Sequence, residues 1–83
     1  MEHGKEADKI DKEAYFGYLL DTYGRLVYSI CFKMTGNQFD AEDLTQETFL
    51  YIYKSLNSFD GNNPGGFVTT IAVNKCIDFL KSA

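Results

Sequence analysis

Residues 40–56, DAEDLTQETFLYIYKSL, repeat apolar side chains at the spacing of an α-helix, yet one leucine falls among the carboxylates. On a wheel of about 100° per residue, Ala41, Leu44, Thr48, Ile52, Ser55 and Leu56 gather on one side, the expected core face. Opposite them stand Asp43, Glu47, Leu50 and Lys54, with Gln46 alongside and Tyr53 at the margin. Leu50 therefore sits centrally in a polar stripe, where it is badly placed for the domain's own core. An apolar anchor ringed by carboxylates and an amide suits docking on another helix that bears arginines, because carboxylates accept bidentate guanidinium bonds. The plain alternative is a single exposed leucine of the kind most protein surfaces carry.

The same carboxylates make poor catalysts. They lie on an open helix face with no histidine, nucleophile or desolvating pocket beside them. They also lack the mid-loop glycine and alternating oxygen ligands of a calcium loop. No enzymatic activity, cofactor or small-molecule substrate is expected.

Outward from this helix the chain divides into elements. Asp40 reads as its N-cap with Asp43 at N3, and Phe39 is placed to pack on Leu44 as a hydrophobic staple. The helix is expected to run to about Asn57. Upstream, Phe16, Leu20, Tyr23, Val27, Ile30 and Met34, widened by Leu19 and Leu26, mark a core-facing helix over residues 11–35. Gly36-Asn37 ends it, since both residue types tolerate left-handed backbone. Residues 1–10 are charged and without apolar period, and read as a flexible or short helical arm to a domain spanning 11–83. Downstream, Phe59-Asp60-Gly61-Asn62-Asn63 is turn-rich, and Asn63 followed by Pro64 predicts the start of a third helix. That helix directs Val68, Ile71, Ala72, Cys76, Phe79 and Leu80 to the core and ends with the chain at Ala83. Nothing alternates as a strand does, so the fold class is all-α, a compact bundle of three to four helices.

Composition bounds the function further. The chain has 83 residues, 45% of them hydrophobic, including seven Phe and six Tyr, enough aromatic area for one small core. A formal charge of −4 argues against holding nucleic acid by bulk electrostatics, because that binding rests on Lys and Arg neutralising phosphates. Any DNA contact must be local and assisted by a partner. Cys31 and Cys76 lack metal-ligand spacing and His3 is the one histidine, so no metal site is expected and both thiols read as free core residues. No apolar run approaches the about 20 residues of a membrane span, and the charged start is no secretory signal. A cytoplasmic location without membrane insertion follows.

The stretch DAEDLTQETFLYIYKSLNSFDG, followed by FVTTIAVNKCIDFLK, resembles region 2 of bacterial sigma factors of the sigma-70 family, in the small extracytoplasmic-function group. The likeness runs from about Tyr15 to Lys81. It implies a region 2 helical domain in which Asp43, Gln46, Glu47, Leu50 and Tyr53, with Lys54 beside them, dock on the clamp coiled coil of the largest RNA polymerase core subunit. It also implies that Asn62, Asn63, Phe67, Thr70 and Asn74 receive a base flipped from the non-template strand of the promoter minus-ten element. Asp78 and Lys81 share the helical face of Phe67, Thr70 and Asn74 and join that surface. Asn amides read base edges and an aromatic ring supports a stacked base. Phe67 stands where the family usually has tryptophan, and Thr70 where arginine is frequent.

An anti-sigma partner is implied by the resemblance too. Family members continue into a helix-turn-helix domain, region 4, that reads the minus-thirty-five element. It is absent here, so the chain reads as part of a longer protein. The competing reading is a helical adaptor that binds a partner protein through the acidic stripe and never meets DNA.

Overall fold

The structure, a computed structural model, describes residues 2–82, with side chains from position 11 to position 82. Three helices build it: α1 over Glu2–Thr35, α2 over Gln38–Ser55 and α3 over Pro64–Ser82, with a turn of 3-10 helix at Leu56–Ser58 closing α2. Among the described residues there is no strand, and the all-α expectation holds with three helices. His3 and Ala83 lie outside the residues whose side chains are described.

α1 begins at Glu2 rather than near Asp11. The stretch EHGKEADKID lacks an apolar period, but five of its ten residues, two Glu, two Lys and one Ala, are good helix formers that sustain the helix once the packed part has nucleated it.

The corner between α1 and α2 is set by two adjacent residues. Gly36 adopts φ +69°, and its N–H donates to the Phe32 carbonyl at 2.7 Å, the αL stop expected of this glycine. Asn37 follows in extended backbone, and its Oδ1 accepts the Asp40 N–H at 3.0 Å. Asn37, not Asp40, is therefore the N-cap of α2, and the helix starts three residues earlier than the Asp40 reading implied. The expected staple fails for the same reason. Phe39 lies inside the first turn and is 75% exposed, while Leu44 is buried in the core.

The core of α1 is a row spaced by four residues: Leu19, Val27 and Cys31 are fully buried, with Tyr15 and Tyr23 packed against them. Such an i±4 ridge is what a neighbouring helix groove receives. Leu20, Leu26 and, on α3, Leu80 were expected inside but are exposed, because each lies to one side of the row its partner helices cover. Phe16 is half-buried and meets α2 edge-on, 6.2 Å from the Phe49 ring and 5.1 Å from the Tyr53 ring. From α2 come Ala41, Leu44, Thr48, Phe49 and Ile52, and from α3 Val68, Ile71, Ala72 and Cys76.

Two core features carry measurable consequences. The Thr48 hydroxyl is completely buried without a hydrogen-bond partner, although Thr45 returns its own to the Ala41 carbonyl at 2.7 Å. A buried, unmatched hydroxyl costs about 1–3 kcal/mol. Burial also pushes the Cys76 thiol from its ordinary value of 9.0 up to about 12, with the hydrogen-bonded Cys31 thiol adding to the rise.

Thr48→Val keeps the shape and removes the unmatched hydroxyl, so its Tm should rise by about 4–8 °C per kcal/mol recovered; a fall in thermal melting would contradict the assignment. The Cys76 shift sets an alkaline limit. The thiol stays protonated longer in the folded chain than in the unfolded one, so its contribution is fully present below pH 9.0 and is lost as pH rises towards about 12. Urea titrations across that window should show stability falling by up to about 1.4 kcal/mol per pH unit from this group, and Cys76→Ala should flatten the slope.

Candidate functional site

With Leu44, Thr48 and Ile52 facing inward, the opposite face of α2 is the one turned fully to solvent. Asp43, Gln46, Glu47, Leu50 and Lys54 are all exposed, and Leu50 is 61% accessible at the centre of the row. The arrangement is an apolar knob with the Glu47 carboxylate and the Gln46 amide within the turn before it, Asp43 a further turn back and Lys54 in the turn after it, on the face the wheel predicted. Glu47 reaches across to α3, where its Oε1 lies 3.7 Å from Lys75 Nζ. Tyr53 stands apart from the row. It is half-buried against Phe16, with the Lys12 ammonium 4.2 Å above its ring, so it flanks the stripe from the α1 side.

A second surface is built by the loop and α3. Asp60 Oδ1 accepts the Asn62 N–H at 2.9 Å, closing a turn around Gly61, which has φ +88°. Asn63 holds φ +50°, its Oδ1 accepts the Gly66 N–H at 3.1 Å, and its carbonyl accepts the Phe67 N–H at 3.0 Å. It is the N-cap of α3 ahead of Pro64, as its position suggested. A Cβ at position 66 would collide with the Asn63 side chain, so glycine there leaves room for the cap. Phe67 stacks on Phe59 with ring centres 4.0 Å apart and planes 16° from parallel, and Tyr15 extends the stack at 6.5 Å from Phe59. The loop is thereby tied by aromatic contact to both α1 and α3.

Beyond this stack runs a groove between α2 and α3. One part, about 600 Å³, is bounded by Tyr51, Ile71, Asn74, Lys75, Asp78 and Lys81. The adjoining part, about 470 Å³, is bounded by Tyr51, Ser55, Phe59, Asp60, Phe67 and Ile71. Phe67, Asn74, Asp78 and Lys81 are thus brought to one groove. Thr70 is exposed on its outer flank, beside Asn74 in a separate hollow with Thr69 and Val73, while Asn62 and Asn63 stay exposed in the loop. Tyr51, Phe59 and Lys75 line the groove without having been singled out as site residues. No periodicity within α2 marks this flank, because the residues that complete it come from the loop and α3.

Among the described residues no three His, Cys, Asp or Glu side chains gather as a metal site. No described helix is long and apolar enough to cross a membrane.

The chain matches the model of the family described as Sigma-70 region 2 over residues 19–83. It is 36% identical over 78 residues to the ECF RNA polymerase sigma factor SigW of Bacillus subtilis, covering 93% of this chain and 41% of that protein. It is 39% identical over 70 residues to the ECF RNA polymerase sigma factor BldN of Streptomyces coelicolor, covering 82% of this chain and 26% of that protein. The chain thus spans less than half the length of these curated relatives. No solved structure gives a significant match.

The two loop asparagines separate by stability. Asn63→Ala removes the α3 cap and places alanine in left-handed backbone, which should lower the unfolding free energy by about 1–2 kcal/mol. Asn62→Ala breaks only a surface contact and should stay within about 0.5 kcal/mol. Urea denaturation of both variants decides it, and equal stabilities would remove Asn63 from the capping role.

Proposed function

Because the chain belongs to the sigma-70 region 2 family, in its extracytoplasmic-function group, we propose that it serves as the part of an RNA polymerase sigma factor that grips the core enzyme and holds a melted promoter base. The observation that carries the reading is Leu50: exposed, apolar and set among Asp43, Gln46 and Glu47 on the outer side of α2. A coiled-coil helix of the polymerase clamp lays its own apolar residue against Leu50 and its arginines against the carboxylates, with Lys54 and Tyr53 at the rim.

The groove and loop then take the promoter. Opening a base step costs a few kcal/mol, which a pocket for the extruded base offsets. Phe67, backed by Phe59, offers a ring face, Asn74 an amide for a base edge, and Lys81 a phosphate contact. Asn62 projects from the loop beside the entrance, with Asn63 holding the start of α3 and Thr70 and Asp78 flanking the strand. The domain makes and breaks no bond. With a net charge of −4 it leaves most phosphate neutralisation to the polymerase. The same two surfaces are where an inhibitory anti-sigma protein would bind, in the cytoplasm where transcription occurs.

A pull-down on the isolated clamp coiled coil tests the first half: Glu47→Arg should abolish retention of the chain, and undiminished binding would count against the docking row. Polymerase carrying the longer natural protein tests the second half on promoters with substituted minus-ten bases. Asn62→Ala and Asn74→Ala should lose base preference while keeping core binding; a pure protein adaptor would show no change.

A further inference from the structure

Lys75 stands on α3 between the two surfaces. Its Nζ lies 3.7 Å from Glu47 Oε1 and 4.8 Å from the centre of the Tyr51 ring. Its side chain is 25% exposed against 61% for Glu47, so the carboxylate is the open, exchangeable half of the pair. With Tyr51, Asn74, Asp78 and Lys81 it lines the groove, and with Glu47, Leu44 and Phe79 it lines a smaller hollow on the other flank of α3. One ammonium thus divides the docking row from the groove.

The groove has the chemistry of a single-stranded nucleic acid site. Tyr51 and Phe67, the latter backed by Phe59, supply ring surface, Asn74 an amide, and Lys81 a cation at one end, against the carboxylates of Asp60 and Asp78. With only two cations on its walls, the engagement of Lys75 by Glu47 weighs heavily on how it holds a phosphate. An exposed Lys–Glu pair is weak and screened by salt, whereas a guanidinium takes a carboxylate through two parallel bonds. An arginine presented to Glu47 therefore displaces Lys75, whose four-carbon stem lets the ammonium swing past Tyr51.

We propose that Lys75 is a phosphate-binding residue of the groove, held in reserve by Glu47 until a docking partner takes that carboxylate. This rests on the assignment of Glu47 to polymerase docking, and it makes the ion pair a link by which docking strengthens the hold on the strand. Thermodynamic reciprocity then has the bound strand favour docking by the same factor.

The test needs no polymerase. Fluorescence anisotropy of a labelled oligo-thymidylate of about twelve nucleotides is followed with the 83-residue chain between about 20 and about 200 mM salt. Glu47→Gln frees Lys75 and should bind about fivefold tighter than wild type near 50 mM salt, with a log–log salt slope steeper by about 0.7. Glu42→Gln removes the same charge from another exposed carboxylate of α2 and should stay within about twofold of wild type. Adding Lys75→Gln to Glu47→Gln should return both affinity and slope to the wild-type level. The proposal is overturned if Glu42→Gln matches Glu47→Gln, if the double variant keeps the gain, or if Glu47→Gln binds no better than wild type, absence of measurable binding included. Such a failure leaves the clamp pull-down untouched, and loss of clamp binding would leave this result standing.

Discussion

Burial of one side of α2 is the constraint from which the rest follows. Leu44, Thr48 and Ile52 close against the α1 row of Leu19, Val27 and Cys31 and against Val68, Ala72 and Cys76 of α3. A helix with that face committed has one outward surface and two flanks, and each is occupied in a distinct way. The outward row presents Leu50 among carboxylates, one flank carries Phe49 and Tyr53 against Phe16, and the other turns Tyr51 towards α3. Leu50 is left in water, as Leu20, Leu26, Leu80 and Phe39 are elsewhere on the surface, and what sets it apart is the Glu47 carboxylate and the Gln46 amide within one turn of it.

The aromatic stack does for the loop what the core does for the helices. Phe59 lies between Tyr15 of α1 and Phe67 of α3, so a segment without regular hydrogen bonds is held by ring contacts and by the Asp60 and Asn63 side chains, which accept backbone N–H groups and close its turns. Such support fixes the loop in place, so any ligand taken by this surface would cost less ordering entropy on binding.

Much of this was legible in the residues because local chemistry decides it. Gly36 ends α1, Asn63 and Pro64 begin α3, and Leu50 faces away from its own core, each by rules that span one helical turn. What escaped depends on choices between neighbours or between elements. Asn37 and Asp40 are both good caps three residues apart, and the left-handed Gly36 hands the role to the first. Leu19 and Leu20 are adjacent leucines, and only the position of the two partner helices buries one and exposes the other. The Glu47–Lys75–Tyr51 cluster joins residues from two helices 28 and 24 positions apart in sequence, beyond the reach of any periodicity. Phe59 read as part of a turn, since its ring partners come from helices at either end of the chain.

The fit between Asn63 and Gly66 has a bearing on how such a domain changes its preferences. The left-handed backbone of one and the missing side chain of the other depend on each other, and both are bracketed by the ring pair of Phe59 and Phe67. Positions 59–67 are thus tied together by contacts of their own, the ring anchors at the two ends and the asparagine–glycine latch between them. A single change in the latch leaves its partner strained, so the segment accommodates substitution more readily at the positions outside it.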